Sequence, residues 1–326
     1  MNDSSSPQTN LTEPAAAGPG APTERPFVLG IIGDSGSGKS TVVKGVRALL
    51  GAEHVADVKL DDYQRYTRAE RAERGMTALN PAVHNFPLML EHLQLLRRGR
   101  PVRIRSYEHR DGTFGPVRVI EPKDVVVVRG LLGYPTPALR AAYDLAVFLD
   151  PEPDLLFRWK LRRDVRTRGY TEAEVLKNIA QHLLDSKEYV RPQAELADVV
   201  VRHEVEEWDA PDSAVRTSVI LRRAAAAVVG GGACFDAQLP GVQLEGQGEE
   251  LVVRLGPELD YAAVEAWGRT LFPAAEEWEK VGQCQAEEEG SALRAPVAFV
   301  QILLACLAQK LRSGSAQERQ PAAFEG

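Results

Sequence analysis

Gly33-Asp34-Ser35-Gly36-Ser37-Gly38-Lys39-Ser40 has the spacing G-x-x-x-x-G-K-S, and an apolar run, Phe27 to Ile32, leads into it. That run reads as a buried strand, and Lys39 to Leu50 reads as a helix, so the glycine-rich segment joins strand to helix. The chemistry requires that context. Glycines let the backbone curl closely around phosphate oxygens, and the N–H groups at the helix start then point at the anion. Lys39 is placed to reach the outer phosphates and Ser40 to ligate Mg2+, with Thr41 completing the segment. The reading is a triphosphate grip of the ATP-binding kind.

Outward from this loop, apolar runs recur at Val55–Leu60, Val125–Val128 and Leu145–Leu149, with helical patterns at Phe86–Arg98 and Pro153–Arg168. Strands alternating with helices predict an α/β fold, a doubly wound and mainly parallel sheet of the P-loop type. Asn85 is a suitable N-cap and Gly99 a stop for the helix that begins at Phe86, with Leu88, Leu95 and Leu96 on a core stripe. Pro101–Tyr107 and Val117–Ile120 alternate in character around Asp111-Gly112, which predicts a β-hairpin added to the sheet. After about Val205 the sequence turns Ala- and Gly-rich, then alternates at Glu250–Leu255 and becomes helical at Tyr261–Leu271 and Val297–Leu311. The expected organisation is a disordered tail over 1–26, a P-loop domain over 27–205, a smaller α+β subdomain over 206–312 and a flexible tail over 313–326.

The 326 residues carry a net charge of -7, so no overall basic field exists to hold nucleic acid or an anionic membrane. The longest apolar stretches, such as Val297–Leu307, fall short of the ~20 residues of a membrane span. Residues 1–26 lack the basic start and apolar core of a secretory signal. Three cysteines, Cys234, Cys284 and Cys306, form no metal-like pair and no even disulfide framework, which suits a reducing cytoplasm.

Outside the loop, several groups admit two readings. Asp61 and Asp62 follow the second strand on the edge where ligands of such sheets bind, where a carboxylate can position an acceptor hydroxyl or Mg2+; the bland alternative is a capping pair. Lys160, Arg163, Asp164 and Arg168 share one helix face, either a solvated charged surface or a cradle for phosphate. Tyr107 and His109 face one side of a strand, as structural residues or as part of a site.

These segments together resemble the phosphoribulokinase and uridine kinase family, and its phosphoribulokinase branch most closely. The resemblance rests on Gly33–Thr41, Leu60-Asp61-Asp62-Tyr63, Gly75–Pro81, Asn85–Met89, Tyr107-Glu108-His109 and the Lys160–Gly169 helix. Leu239–Val242, the run Glu250–Phe272 and the helix containing Gln301 extend it over roughly residues 27–312. It implies transfer of the γ-phosphate of ATP, with Mg2+, to D-ribulose 5-phosphate. Asp61 matches the catalytic base, Asp164 an essential acid, and Lys39 the phosphate-loop lysine. Arg68, Tyr107, His109, Lys160, Arg163 and Arg168 match substrate-binding residues, and Ser40 with Asp62 the metal side. A cytoplasmic homodimer is implied.

Five positions depart from the family pattern. Arg129 ends the strand Val125–Val128 where a metal-holding glutamate is usual. A unit charge of the wrong sign at about 6 Å from a divalent ion is worth roughly 5 kcal/mol at an effective dielectric of 20. Gln64 replaces a histidine and Pro87 an aspartate. Ser37, and Lys59 nearby, stand where plant-type relatives carry redox cysteines, so thiol control at that site is not expected. Two alternatives therefore stand beside the sugar-phosphate kinase: a kinase for uridine or another sugar phosphate, and a catalytically weakened nucleotide-binding member.

Overall fold

The computed structural model describes residues 24–168, 171–205, 215–232, 234, 239–284 and 294–317. They divide into two compact units: 1–39, 53–148 and 156–196 in the first, 40–52, 149–155 and 197–326 in the second. The helix that follows the phosphate loop thus groups with the C-terminal half from Ser40 onward. Sequence pattern alone had suggested a single break near residue 205.

In the first unit, β1 (Phe27–Gly33), β2 (Val55–Lys59) and β5 (Val125–Gly130) are parallel, with β5 between the other two. Val125 pairs in register with both Phe27 and Val55, and Arg129 with both Ile31 and Lys59. β1 is buried throughout and β5 along its four valines. Continuous apolar strands of this kind belong to a parallel sheet covered on both faces. β6 (Leu145–Pro151) follows β1 in strand order, and its last three residues pass into the second unit.

The hairpin forms, but as a separate two-stranded sheet of β3 (Val102–Glu108) and β4 (Thr113–Ile120), not as an addition to the main one. Helix α2 (Arg68–Glu73) opens with a capping box in which Thr67 and Glu70 bond reciprocally. Helix α3 (Phe86–Arg97) is capped by Asn85, whose side chain accepts from the Leu88 N–H. Leu88 and Leu96 are buried as expected, but Leu95 is only half-buried; Met89, His92 and Leu93 take the remaining core positions. After the short α4 (Pro137–Arg140), helices α5 (Pro153–Arg168) and α6 (Glu172–Asp185) complete the unit.

The second unit contains α1 (Lys39–Leu50), whose register sends Val42, Val43, Val46 and Leu49 inward. Its strands pair antiparallel: β7 (Val199–Glu204), β8 (Arg216–Leu221), β10 (Glu250–Leu255) and β9 (Val242–Gln247), in that order. Helices α7 (Arg223–Gly230), α8 (Tyr261–Leu271) and α9 (Arg294–Gln317) accompany it. α9 outruns its expected end and remains helical into the segment assigned to a flexible tail. Residues 294–314 are long and apolar enough to cross a membrane, but 72% of that window is buried inside the fold. Phe299 stacks on Trp267 there, with ring centroids 5.1 Å apart. At the other end of the chain Arg25, assigned to a disordered tail, is ion-paired with Asp144.

One expectation is overturned. Cys234 and Cys306 form a disulfide, both residues buried, and Cys284 takes no part in it. Their sequence separation of 72 leaves no local spacing signal to read.

Gln301, fully buried in α9, donates from Nε2 to the Thr41 carbonyl at 2.8 Å and accepts the Gly282 N–H at 2.8 Å. A Cβ on Gly45 would stand 2.1 Å from the Gln301 side-chain carbon. Gly45→Ala therefore sets a helix-propensity gain of about 1 kcal/mol against overpacking of about 1–3 kcal/mol and the disturbance of two buried hydrogen bonds. We expect a net loss of about 1–3 kcal/mol in urea unfolding; a variant as stable as the parent would refute this packing account.

Candidate active site

The loop Gly33–Lys39 sits at the C-terminal end of β1. Gly36 and Gly38 have φ of 100° and 91°, a region closed to side chains at little cost only in glycine. Lys39 Nζ donates to the carbonyls of Gly33 at 2.8 Å and Asp34 at 2.5 Å, folding the side chain back over its own loop. Burial pushes its pKa down to about 7, with Arg163 and Arg129 adding to the fall and Asp34 and Asp61 opposing it. Asp34 is buried and accepts from the Ser186 hydroxyl at 2.6 Å; burial raises its pKa against that bond. Ser37 is buried too, and its Oγ has no hydrogen-bond partner among the described residues. An orphaned hydroxyl inside a phosphate loop fits a polyanion that supplies the missing acceptor.

Asp61 and Asp62 occupy one 3-10 turn after β2 and have different surroundings. Asp61 Oδ2 lies 3.3 Å from His109 Nε2, and Oδ1 accepts from Gln64 Nε2 at 3.0 Å. Burial alone would raise the Asp61 pKa. The His109 hydrogen bond and the charges of His109, His84 and Lys39 outweigh it and hold the carboxyl well below the usual range. Asp62, assigned to the metal from sequence, instead anchors the hairpin: Oδ1 accepts the Tyr107 N–H at 2.8 Å and Oδ2 pairs with Arg118. With both oxygens engaged and the side chain 2% exposed, Asp62 is a structural clamp in this arrangement.

That clamp delivers Tyr107 and His109. Their rings meet edge to face, 5.3 Å between centroids, and Arg71 Nη2 donates to the Tyr107 hydroxyl at 3.1 Å. Arg68 reaches the His109 carbonyl, so it supports the hairpin tip through backbone. On α5, Arg163 bridges Asp164 (2.9 and 2.7 Å) to the Ser35 hydroxyl of the phosphate loop (3.0 Å). Lys160 packs under Gly36, where an added Cβ would meet its own Cβ at 3.2 Å, and its Nζ lies 2.7 Å from His182 Nδ1. Burial and the Lys160 charge push the His182 pKa down to about 4, so the imidazole is neutral and accepts. Arg168 lies in the last turn of α5, with its side chain outside the described residues.

The cationic face of α5 is therefore turned on the phosphate loop through Lys160 and Arg163. Three contributors escaped sequence reading. Arg71 is buried and joins Gln64 to Tyr107, but nothing separates it from neighbouring charged positions in the string. His182 lies on a helix that had not been picked out. Asp57 forms a fork-to-fork pair with Arg129, Nε to Oδ1 at 2.9 Å and Nη2 to Oδ2 at 3.0 Å, visible only once β2 and β5 are aligned.

The model of the phosphoribulokinase / uridine kinase family matches residues 28–207. The chain belongs to this family. Among curated proteins it is 36% identical over 179 residues to a phosphoribulokinase of Synechocystis, covering 55% of this chain and 54% of that one. It is 31% identical over 183 residues to a uridine kinase of Deinococcus deserti, covering 55% and 88%. The chain spans about half the length of the curated phosphoribulokinases it matches. The solved phosphoribulokinase from Rhodobacter spheroides aligns over 76% of this chain and 95% of its own, with a TM-score of 0.58 at 16% identity, a likeness of fold.

Among the described residues no group of three or more His, Cys, Asp or Glu could hold a metal. Mg2+ in nucleotide sites keeps several waters and binds largely through the substrate phosphates, so it needs few ligands from the protein.

The depressed Lys39 pKa has a measurable consequence. Between about pH 7 and 10 the unfolded chain holds a proton on Lys39 that the folded, unliganded protein gives up, so this group adds stability as pH rises through that window. Bound phosphate restores the ammonium. Titration calorimetry of Mg-ATP at pH 8 in buffers of different ionisation enthalpy should show proton uptake approaching one, abolished in Lys39→Met. Buffer-independent heats would sink the assignment.

Proposed function

We propose that the protein transfers the γ-phosphoryl group of ATP to a hydroxyl of D-ribulose 5-phosphate, giving ADP and ribulose 1,5-bisphosphate. The observation that carries this reading is Asp61, held ionised by His109 and electrostatically coupled to Lys39 of the phosphate loop. Asp61 accepts the acceptor's hydroxyl proton as the new O–P bond forms and the bond to ADP breaks. In a loose transition state the proton leaves late, so a weakly basic but well-placed carboxylate suffices. Lys39, Arg163 and Lys160 balance the phosphoryl charge. Tyr107, His109, Arg68 and Arg168 are assigned to the sugar phosphate. Ser40 would hold Mg2+ together with the nucleotide, and the ion would supply further charge neutralisation. Relatives named as phosphoribulokinase support the acceptor, as do two cations on α5 suited to a substrate that is already phosphorylated.

A homodimer in the cytoplasm, with no nucleic-acid or membrane partner, accompanies this reading; the Cys234–Cys306 disulfide removes one argument for a reducing compartment. A weakened nucleotide-binding protein is the second reading, favoured by Arg129 alone. ADP release with Mg-ATP, offered ribulose 5-phosphate and uridine in parallel, tests both. Turnover of ribulose 5-phosphate is expected, and Asp61→Asn should lower kcat by about 10²–10⁴-fold, the usual scale of general-base loss, with ATP affinity retained. Uridine turnover alone overturns the acceptor, silence with both acceptors favours the second reading, and an active Asp61→Asn refutes the base.

A further inference from the structure

Arg129 occupies a singular place in the first unit. In the register of β5 it lies between Ile31 and Lys59, each two residues short of a site group, Gly33 on one side and Asp61 on the other. Asp57 stands two residues before Lys59 and therefore on the same face of β2, which is why its carboxylate meets the guanidinium fork to fork. The preceding residues Val125–Val128 are apolar and at most 5% exposed, so an ionic pair at the strand end is not what the core requires. Buried or half-buried pairs of this kind are commonly replaceable by apolar residues without loss of stability.

The charges facing Arg129 indicate what else it does. Asp57, Asp61 and Asp62 attract it, and its own charge adds to that of Arg163 in opposing Lys39. Cations that repel one another without ligand become mutually favourable once a polyanion lies among them. A carboxylate at this position would work through a metal ion; a guanidinium works on the phosphate directly and presents a planar set of donors suited to its oxygens.

We propose that Arg129, held in orientation by Asp57, is a direct ligand of the outer phosphates of bound nucleotide and takes over part of the charge neutralisation otherwise supplied by a divalent cation. The proposal rests on the reading of Gly33–Ser40 as a triphosphate loop and not on the identity of the acceptor. It makes nucleotide binding unusually tolerant of metal removal.

Calorimetric titration of the full chain with ATP in EDTA and with Mg-ATP provides the test. The native protein should bind metal-free ATP within about tenfold of Mg-ATP. Arg129→Met should weaken metal-free ATP by about 10- to 100-fold, the worth of one charge-assisted hydrogen-bonded contact, and Mg-ATP by less. Arg129→Lys should recover part of the loss. Binding of metal-free ATP more than about tenfold weaker than Mg-ATP by the native protein overturns the proposal. So does an Arg129→Met protein whose two affinities match the parent's. Should Arg129→Met fail to fold, the native ratio and the Arg129→Lys protein decide. Loss of metal-free binding alone leaves the kinase reading intact, whereas no binding of Mg-ATP removes the triphosphate loop on which both depend.

Discussion

The gathering of positive charge at the ends of parallel strands is the constraint from which the first unit follows. A site for a triphosphate must hold several cations close together, and without ligand those cations need partners inside the protein. Each has a different one. Lys39 turns back onto the carbonyls of Gly33 and Asp34, Arg163 onto Asp164, Arg129 onto Asp57, and Lys160 lies against a neutral His182. The solutions are of two kinds. Carboxylate partners keep the guanidinium charge in place, whereas backbone carbonyls and an imidazole hold a lysine more loosely. The lysines are therefore held less rigidly than the arginines, whose guanidinium planes are fixed by their carboxylate partners.

The two adjacent aspartates show how one turn separates roles that the sequence presents as equal. Asp62 is sealed against Arg118 and the backbone of β3, which orients the hairpin. Asp61 meets the tip of that same hairpin through His109. The structural acid thus sets the position of the residue that tunes the chemical one. Gln64 belongs to the same arrangement: between Asp61 and Arg71 it can donate to one and accept from the other, which a single imidazole tautomer in its place could also do.

Legibility in the sequence followed the range of the interaction. β1, α1 and α5 were readable because their patterns are local: a continuous apolar strand, a glycine loop and a helical period. The C-terminal sheet was harder. β7 and β8 pair across residues 206–214, and neither carries a hairpin turn signal. The disulfide, the Asp57–Arg129 pair and the Arg71 bridge join residues separated by 72, 72 and 36 positions. No window of sequence contains both partners of any of these. Family resemblance named Arg129 as a departure but gave no compensation for it; the compensation lies on a neighbouring strand.

Long-range contacts also restrain the first turn of α1 within the second unit. α1 begins within the phosphate motif, and its first turn is held by Gln301, whose amide bonds the Thr41 carbonyl while its oxygen takes the Gly282 N–H. A helix N-terminus binds anions only if its N–H groups stay aligned, so restraint on this turn has functional value beyond packing. Gly45 is what lets α9 approach closely enough to provide it. Cys306, five residues beyond Gln301 on α9, ties that helix to Cys234. Within the second unit, the Gln301 hydrogen bonds and the close approach at Gly45 thus fix the first turn of α1.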